Sequence, residues 1–223
     1  MNIIVISLKR AADRRERITN QLNTLNIDAF IMDAIDALEL TDEEKNKSIN
    51  LPNGYRFGEI FKPGEIACTM SHINALKIAK ENKWDDVIIL EDDVILAEDF
   101  TKRINFLYKI IPSNWEHIYL SGIPRIGFNK PPILNIANIT SSVFTECTHS
   151  MLIKGTAYNK IIDTLSLFQT TTDDIYNSMI SLNKLMSYTY YPFVTYAKDN
   201  FTYIWNHELT REHKSKQYFR NTI

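Results

Sequence analysis

Three carboxylates stand side by side at Glu91, Asp92 and Asp93, directly after the apolar run at residues 87–90. The run has the β-branched composition of a buried strand, and like charges beside it are costly to bury unless something positive lies among them. Clustered carboxylates suit a hard divalent cation, Mn²⁺ or Mg²⁺, which completes its coordination shell with diphosphate oxygens. The ordinary alternative is that one acid caps the next helix while the others are solvated.

Arginines follow the first predicted strand, which occupies residues 2–8. Arg10, Arg14 and Arg15 come next in the sequence. A guanidinium presents paired donors that fit a phosphate or a uracil carbonyl, whereas a solvated basic helix face would use the same residues without a ligand. Arg10 lies nearest the end of the strand and is the first choice for a contact with a phosphorylated substrate.

Two further segments carry groups that can hold a substrate or accept a proton. Ser71 and His72 fall within a predicted helix, where a hydroxyl and an imidazole can hold sugar hydroxyls, although a lone helical histidine is commonly structural. Asp173 and Asp174 begin another predicted helix, where an acid can act as a general base or simply stabilise the helix N-terminus. His149, in a predicted strand, is a further candidate on the acceptor side.

Predicted strands and helices alternate along the first half of the chain, which favours an α/β fold with a largely parallel sheet. Ligands bind such sheets beyond the carboxyl ends of the strands, which is where the acidic triplet falls. No glycine-rich phosphate loop precedes a helix, and the first strand lacks the Asp-x-Asp pattern of aspartyl phosphatases, so both classes are excluded. The predicted strands lie at residues 2–8, 28–36, 87–91, 117–122, 148–153 and 186–196, and the predicted helices at 11–25, 41–49, 65–82, 99–111, 155–168 and 172–185.

The composition is that of an ordinary globular chain, with 44% of the 223 residues hydrophobic and 23% charged. A net charge of -2 gives no electrostatic reason to expect nucleic acid as a partner. Cys68 and Cys147 make no disulfide framework and lack the spacing of a zinc site, so both are interpreted as reduced thiols. No run approaches the ~20 apolar residues of a transmembrane span. We therefore expect a cytoplasmic protein, and peripheral contact with the inner face of a membrane is compatible with this expectation.

Five segments occur in this order along the chain: VISLKRAADRRERI, KPGEIACTMSHINAL, VIILEDDV, THSMLIKGTAYNKII and TTDDIY. Together they resemble glycosyltransferase family 25, the family of bacterial lipopolysaccharide galactosyl- and glucosyltransferases and of collagen galactosyltransferases. The resemblance covers about residues 2–195, and the pair GEIACTMSH and LEDDV is its most specific part. It implies a GT-A-type fold with a Rossmann-like, mostly parallel sheet flanked by helices. It also implies a UDP-sugar donor, Mn²⁺ or Mg²⁺ as cofactor, and inversion at the anomeric carbon.

The resemblance implies roles for the residues that match the family's motifs. Glu91 is expected at the donor ribose and, with Asp93, at the metal, while Asp92 supports either. Ser71 and His72 match the family's Gly-Glu-x-x-Cys-x-x-Ser-His pattern and are expected on the donor side.

The sequence departs from the family's pattern in two places. The first strand typically ends Asn-Leu-Asp, whereas this chain has Ser7-Leu8-Lys9 there, and Ser7 and Leu8 stand at the positions expected to contact the donor base and ribose. Arg14, shortly after, matches the family's Arg-Arg pair on the donor side. The later motif is usually Pro-Val-Asp, whereas this chain has TTD, and by that position Asp173 is the expected general base with Asp174 as the alternative.

We expect one domain at residues 1–206, with a donor-binding half at about 1–121 and an acceptor half at about 122–206, followed by a polar tail at 207–223. The expected reaction moves galactose or glucose from a UDP-sugar to a hydroxyl of a glycan, lipopolysaccharide or protein. Two alternatives from other classes are a catalytically silent module that binds nucleotide sugars or carbohydrates, and a metal-dependent UDP-sugar diphosphohydrolase.

Overall fold

A computed structural model describes residues 1–46, 55–56, 59–60, 62–124, 139–142, 145–198, 201–202 and 207–208. The strands in these ranges are β1 (Ile3–Ser7), β2 (Phe30–Asp33), β3 (Tyr55–Arg56), β4 (Glu59–Ile60), β5 (Asp86–Glu91), β6 (Val94–Leu96), β7 (His117–Tyr119), β8 (Ile123–Pro124), β9 (Ile139–Ser141), β10 (Thr145–Glu146), β11 (Ser150–Lys154), β12 (Ser187–Tyr190), β13 (Thr195–Ala197), β14 (Phe201–Thr202) and β15 (His207–Glu208). The helices are α1 (Ala12–Thr24), α2 (Asp42–Lys45), α3 (Pro63–Glu81), α4 (Phe100–Ile110), α5 (Tyr158–Leu165) and α6 (Thr172–Ser181), and a 3-10 turn at Gly155–Ala157 precedes α5.

Seven strands form the central sheet, in the order β2-β1-β5-β11-β7-β12-β9. β1 pairs in parallel with β2 and β5, and β12 pairs in parallel with β7. In contrast, β11 is antiparallel to both of its neighbours, and β9 is antiparallel to β12. Five of the seven strands therefore run in one direction. Because β11 is reversed, its first residues lie at the edge of the sheet where β5 and β7 end.

Apolar residues on the two faces of the sheet are buried against two layers of helices. Along β1, Ile3 and Val5 share one buried cluster with residues of α1 and α4, and Ile4 and Ile6 share another with residues of α3, α5 and α6. This alternation with a period of two is what a strand covered on both faces requires. The two layers fix the helices relative to the strand ends, where the acidic triplet lies.

The predicted α/β class, with a mostly parallel sheet flanked by helices, is confirmed. The strand predicted at 186–196 divides into β12 and β13, and β13 leaves the central sheet to pair with β6. The reversal of β11 is not apparent in the sequence, because strand direction depends on which strands pair and not on local residue patterns.

Some predictions lie partly outside the described residues. Of residues 50–64, between the helices predicted at 41–49 and 65–82, the structure describes the backbone of β3 and β4 and residues 62–64. Of the predicted tail at 207–223 it describes only β15. The division into donor and acceptor halves stays a prediction. Within the described part of the chain, no helix combines the length and apolar character needed to cross a membrane.

Candidate active site

The predicted site residues gather at one edge of the sheet. Ser7 ends β1, Glu91 ends β5, and His149 directly precedes β11. The carboxyl ends of two parallel strands and the start of the reversed strand are thus adjacent, because β5 lies between β1 and β11. This is the edge at which α/β sheets bind their ligands.

Asp92 joins the end of β5 to the end of β1. Its Oδ2 accepts a hydrogen bond of 3.0 Å from the backbone amide of Leu8, and its Oδ1 lies 3.4 Å from Nη1 of Arg14. Asp92 is 5% exposed and Arg14 is 8% exposed. Burial raises the pKa of the Asp92 carboxyl, and the charge of Arg14 and the amide of Leu8 partly offset this effect. Through these buried contacts, Asp92 connects the end of β5 to the end of β1 and, through Arg14, to α1.

Glu91 points to the other side of the chain, towards α3. Its Oε1 lies 3.1 Å from Nε2 of His72 and accepts a hydrogen bond of 3.2 Å from the Thr148 hydroxyl. Burial alone would raise the pKa of Glu91, but the hydrogen bond and charge of His72, the charge of His149 and the hydroxyl of Thr148 outweigh it and lower the pKa. Glu91 is therefore held as an anion at the end of β5.

His72 lies almost wholly inside the protein, at 1% exposure. Because a carboxylate only accepts hydrogen bonds, the imidazole ring donates from Nε2 to Glu91. Its Nδ1 is buried and has no hydrogen-bond partner among the described residues. The ring is thus positioned by Glu91 and by Thr148, whose hydroxyl lies 3.4 Å from Nε2.

Asp93 follows β5 in the turn to β6 and is half-buried. Its backbone carbonyl accepts a hydrogen bond of 2.9 Å from the amide of Lys198, which ties the turn to the segment after β13. The Asp93 carboxylate acts on the Cys147 thiol: burial is the largest cause that raises the thiol's pKa, and the charges of Asp173, Glu91 and Asp93 raise it further. Three carboxylates therefore lie within electrostatic range of this thiol, and carboxylate oxygens are the ligands that a hard cation prefers.

A cavity of about 110 Å³ opens beside Glu91. Its apolar wall comes from the ends of β1 and β2 and from α3, and its polar wall includes Arg10, Arg14, Asp36 and Glu91. Nε of Arg10 lies 2.6 Å from Oδ2 of Asp36, and this ion pair fixes the orientation of the guanidinium at the cavity. An apolar wall with guanidinium groups beside it fits a nucleoside carrying a diphosphate.

Ser71 and Ser7 lie at this edge with their hydroxyls engaged by the protein. The Ser71 hydroxyl donates to the carbonyl of Ala67 at 2.7 Å and accepts from the amide of Ile35 at 2.9 Å, which ties α3 to the chain after β2. The Ser7 hydroxyl accepts from Nε of Arg15 at 3.1 Å. Ser71 and Leu8 line the cavity, so each can contribute to its shape.

The first turn of α6 faces the same region. Oδ1 of Asp173 accepts hydrogen bonds from the Thr171 hydroxyl at 2.6 Å and from the amide of Asp174 at 3.0 Å, and Oδ2 accepts from the amide of Cys147 at 3.4 Å. Both acids are half-buried. Asn177, one turn further along α6, donates to and accepts from the backbone of Thr145. α6 thus fixes the segment that leads into β11.

His149 is buried, at 3% exposure, and its Nε2 lies 2.8 Å from the hydroxyl of Ser121 beyond the end of β7. Its backbone carbonyl accepts from the amide of Glu91 at 2.9 Å. The predicted role of His149 on the acceptor side stays a prediction.

Sequence reasoning missed three residues of this site. Asp36, Cys68 and Thr148 were not singled out, although each lies beside a predicted site residue. The signal for Cys68 was its spacing of four residues from His72 in a helix, which places both side chains on one face. Within the described ranges, Cys68, His72 and Glu91 form a group whose possible ligand atoms all lie within 4.8 Å of one another.

Comparison with known proteins identifies relatives along most of the chain. The family model described as "Glycosyltransferase family 25 (LPS biosynthesis protein)" matches residues 1–218. Procollagen galactosyltransferase 2 of Homo sapiens is 30% identical over 169 residues, which are 72% of this chain and 27% of that protein. The inactive glycosyltransferase 25 family member 3 of Mus musculus is 28% identical over 172 residues, 74% of this chain and 27% of that protein.

Among solved structures, a glycosyltransferase involved in the glycosylation of the major capsid of PBCV-1 has a TM-score of 0.39 and 10% identity, and the match covers 75% of this chain and 66% of that one. The chain spans about a quarter of the length of the curated relatives named above, since the matched parts are 27% of each.

Proposed function

The chain belongs to glycosyltransferase family 25, and from this we propose that it transfers a hexose, galactose or glucose, from a UDP-sugar to an acceptor hydroxyl with inversion at the anomeric carbon. The observation that carries the proposal is the position of Glu91, an anion held at the end of β5 that lines the cavity together with Arg10 and Arg14. A nucleotide sugar needs an apolar surface for its base, positive charges for its diphosphate and carboxylates for its metal ion. The cavity offers an apolar wall, the guanidinium groups of Arg10 and Arg14, and the carboxylate of Glu91.

The donor is proposed to bind with its nucleoside in the cavity and its diphosphate towards Arg10. The apolar wall of the cavity would face the base, and Asp36, which already orients the Arg10 guanidinium at 2.6 Å, would keep that group directed at the rim. Arg14 would act less directly, because it is buried against Asp92. Leu8 and Ser71 would shape the cavity wall.

The oxygen ligands at the strand end fit the divalent cation expected in this family. Glu91 and Asp93 would hold Mn²⁺ or Mg²⁺, which when bound neutralises charge on the departing diphosphate. The fit rests on the carboxylates of Glu91, Asp93 and Asp173, which lie near enough to the Cys147 thiol for their charges to raise its pKa after the larger effect of burial.

The acceptor hydroxyl is proposed to attack from the side of α6. In a single displacement the bond from the acceptor oxygen to the anomeric carbon forms as the bond to the diphosphate oxygen breaks, and the hydroxyl proton passes to a general base. Asp173 is the proposed base, since it faces the cluster from an element separate from the metal-binding strand end. Among the described residues, its Oδ2 accepts one long bond of 3.4 Å from the amide of Cys147, whereas Oδ1 accepts two shorter ones, so Oδ2 is the oxygen proposed to take the proton. Asp174 is the alternative.

The proposal is tested by incubating the protein with UDP-galactose or UDP-glucose, Mn²⁺ and a panel of glycan, lipopolysaccharide and protein acceptors. Transfer of the sugar with release of UDP supports it. Tight binding of the donor without turnover would instead indicate a silent binding module; the name of the mouse relative calls that protein inactive. Rapid hydrolysis that does not depend on an acceptor would indicate a diphosphohydrolase.

A further inference from the structure

We propose that Cys68, His72 and Glu91 form a binding site for a borderline transition-metal cation, Zn²⁺ or Co²⁺, separate in its ligand chemistry from the oxygen site at Glu91 and Asp93. The three side chains offer a sulfur, a nitrogen and an oxygen within 4.8 Å of one another. Thiolate and imidazole ligands select Zn²⁺ and related ions, whereas Mg²⁺ requires oxygen ligands. The proposal does not depend on the transferase activity.

The ligand spacing is close to that of a tetrahedral site. With metal-ligand bonds of about 2.0–2.3 Å, neighbouring ligand atoms in a tetrahedron lie about 3.4–3.6 Å apart. Nε2 of His72 and Oε1 of Glu91 already lie 3.1 Å apart, so a cation between them would replace the proton that they share. The Cys68 sulfur needs only a small side-chain movement, because Cys68 and His72 are four residues apart on one face of α3.

Hydrogen bonds around the group support a ligand role. The Thr172 hydroxyl donates to Sγ of Cys68 at 3.8 Å, and the Thr148 hydroxyl donates to Oε1 of Glu91 at 3.2 Å. Donors of this kind orient ligating atoms and stabilise their anionic forms. The two threonines come from α6 and from the segment before β11, so three parts of the chain hold the group in place.

The fourth coordination position would open into the cavity. Cys68, His72 and Glu91 all line the cavity of about 110 Å³. A site with three protein ligands and one open position is the arrangement found where a metal also binds water or a substrate oxygen. Zn²⁺ bound here would engage Glu91 and so withdraw it from the oxygen site, which makes the two sites mutually exclusive.

The test is a titration of reduced, metal-free protein with Co²⁺ alone, followed by absorption spectroscopy. A thiolate bound to Co²⁺ gives a charge-transfer band in the near ultraviolet, and four-coordinate Co²⁺ gives intense visible bands. We expect both in the wild-type protein and bleaching of both by Zn²⁺, whereas Mg²⁺ added alone should give neither band. His72→Asn should weaken Co²⁺ binding by at least about tenfold.

The matched control is Cys147→Ser, because the sequence contains only two cysteines and both are half-buried. We expect the charge-transfer band to survive in Cys147→Ser and to vanish in Cys68→Ser. If Cys68→Ser fails to fold, Cys147→Ser decides alone, since Cys68 is then the only thiol left. Absence of the band in wild-type protein, or its loss in Cys147→Ser, would overturn the assignment. Neither result bears on the proposed transfer, because donor and acceptor take no part in the measurement.

Discussion

Two guanidinium groups near the end of β1 have different surroundings. Arg10 lines the cavity, whereas Arg15 donates to the carbonyl of Ser7 at 2.8 Å and to Asp33 at 2.7 Å. We predict that Arg10→Ala weakens UDP binding by about tenfold or more, the value of a hydrogen bond to a charged group. Arg15→Ala should leave UDP affinity nearly unchanged and instead lower the free energy of unfolding by about 1 kcal/mol. Titration calorimetry and urea unfolding measure the two effects, and equal losses of affinity would show that both arginines act through the stability of α1.

The adjacent acids Asp92 and Asp93 provide a second matched pair. Asp93→Asn should abolish transfer and leave the melting temperature unchanged, because the half-buried carboxylate is proposed to hold metal. Asp92→Asn should lower the free energy of unfolding by about 2 kcal/mol, since the buried Arg14 loses the charge 3.4 Å from it. Transfer assays and urea unfolding of both variants measure this contrast. Full activity of Asp93→Asn in excess EDTA would exclude the proposed metal role.

The position of the acidic triplet could be predicted from its residue types and from the strand that precedes it. What each acid contacts could not be predicted in this way. Glu91 and Asp92 are neighbours in sequence and point to opposite sides of β5, one to α3 and the other to β1 and α1. The partner of Glu91, His72, lies 19 residues away. That contact depends on how α3 packs on the sheet, and no local pattern in the sequence specifies it.

At the scale of elements, the first turn of α6 carries the proposed base. Asp173→Asn should keep the affinity for UDP and for Mn²⁺ and reduce transfer by roughly two or more orders of magnitude, the usual effect of losing a general base. The Asn side chain retains an oxygen that can accept from the Thr171 hydroxyl, as Oδ1 of Asp173 does at 2.6 Å, so the helix start should persist. Single-turnover transfer and calorimetry measure the two properties. Loss of transfer in Asp174→Asn with normal transfer in Asp173→Asn would move the assignment by one residue.

Helix starts were predictable because their signals are local. The helix predicted from residue 41 begins with a capping box formed by Thr41 and Glu44 at the start of α2. At the start of α3, the Glu65 side chain accepts from the amide of Lys62 at 2.8 Å. The reversed direction of β11 has no such signal, and it is this reversal that brings Thr148 to Glu91.

At the scale of the whole molecule, the helix-covered central sheet contains a histidine that the proposed chemistry does not use. His117 begins β7, is fully buried, and lies between the rings of Tyr119 and Tyr176 at centroid distances of 4.5 and 5.0 Å. Its Nδ1 lies 2.7 Å from the Ser187 hydroxyl, and its Nε2 has no hydrogen-bond partner in the described part of the chain. The surroundings therefore favour the neutral ring.

We expect the titration of His117 to make the stability of the whole fold depend on pH. Burial lowers the pKa of His117 from 6.5 to about 3 in the folded protein. Between these values the unfolded chain binds the extra proton, so stability is present in full above pH 6.5 and is lost as the pH falls. Between pH 7 and pH 5 this single group should reduce the free energy of unfolding by about 2 kcal/mol.

The measurement is urea unfolding at pH 7 and pH 5 for wild-type protein, His117→Asn and Ser187→Ala. His117→Asn should be less stable at pH 7, because ring contacts are lost, but its stability should fall less between the two pH values by about 2 kcal/mol. Ser187→Ala removes the hydrogen bond of 2.7 Å and keeps the titrating ring, so it should be destabilised by a similar amount at both pH values. Equal pH dependence in wild-type protein and His117→Asn would mean that other groups cause the loss of stability in acid.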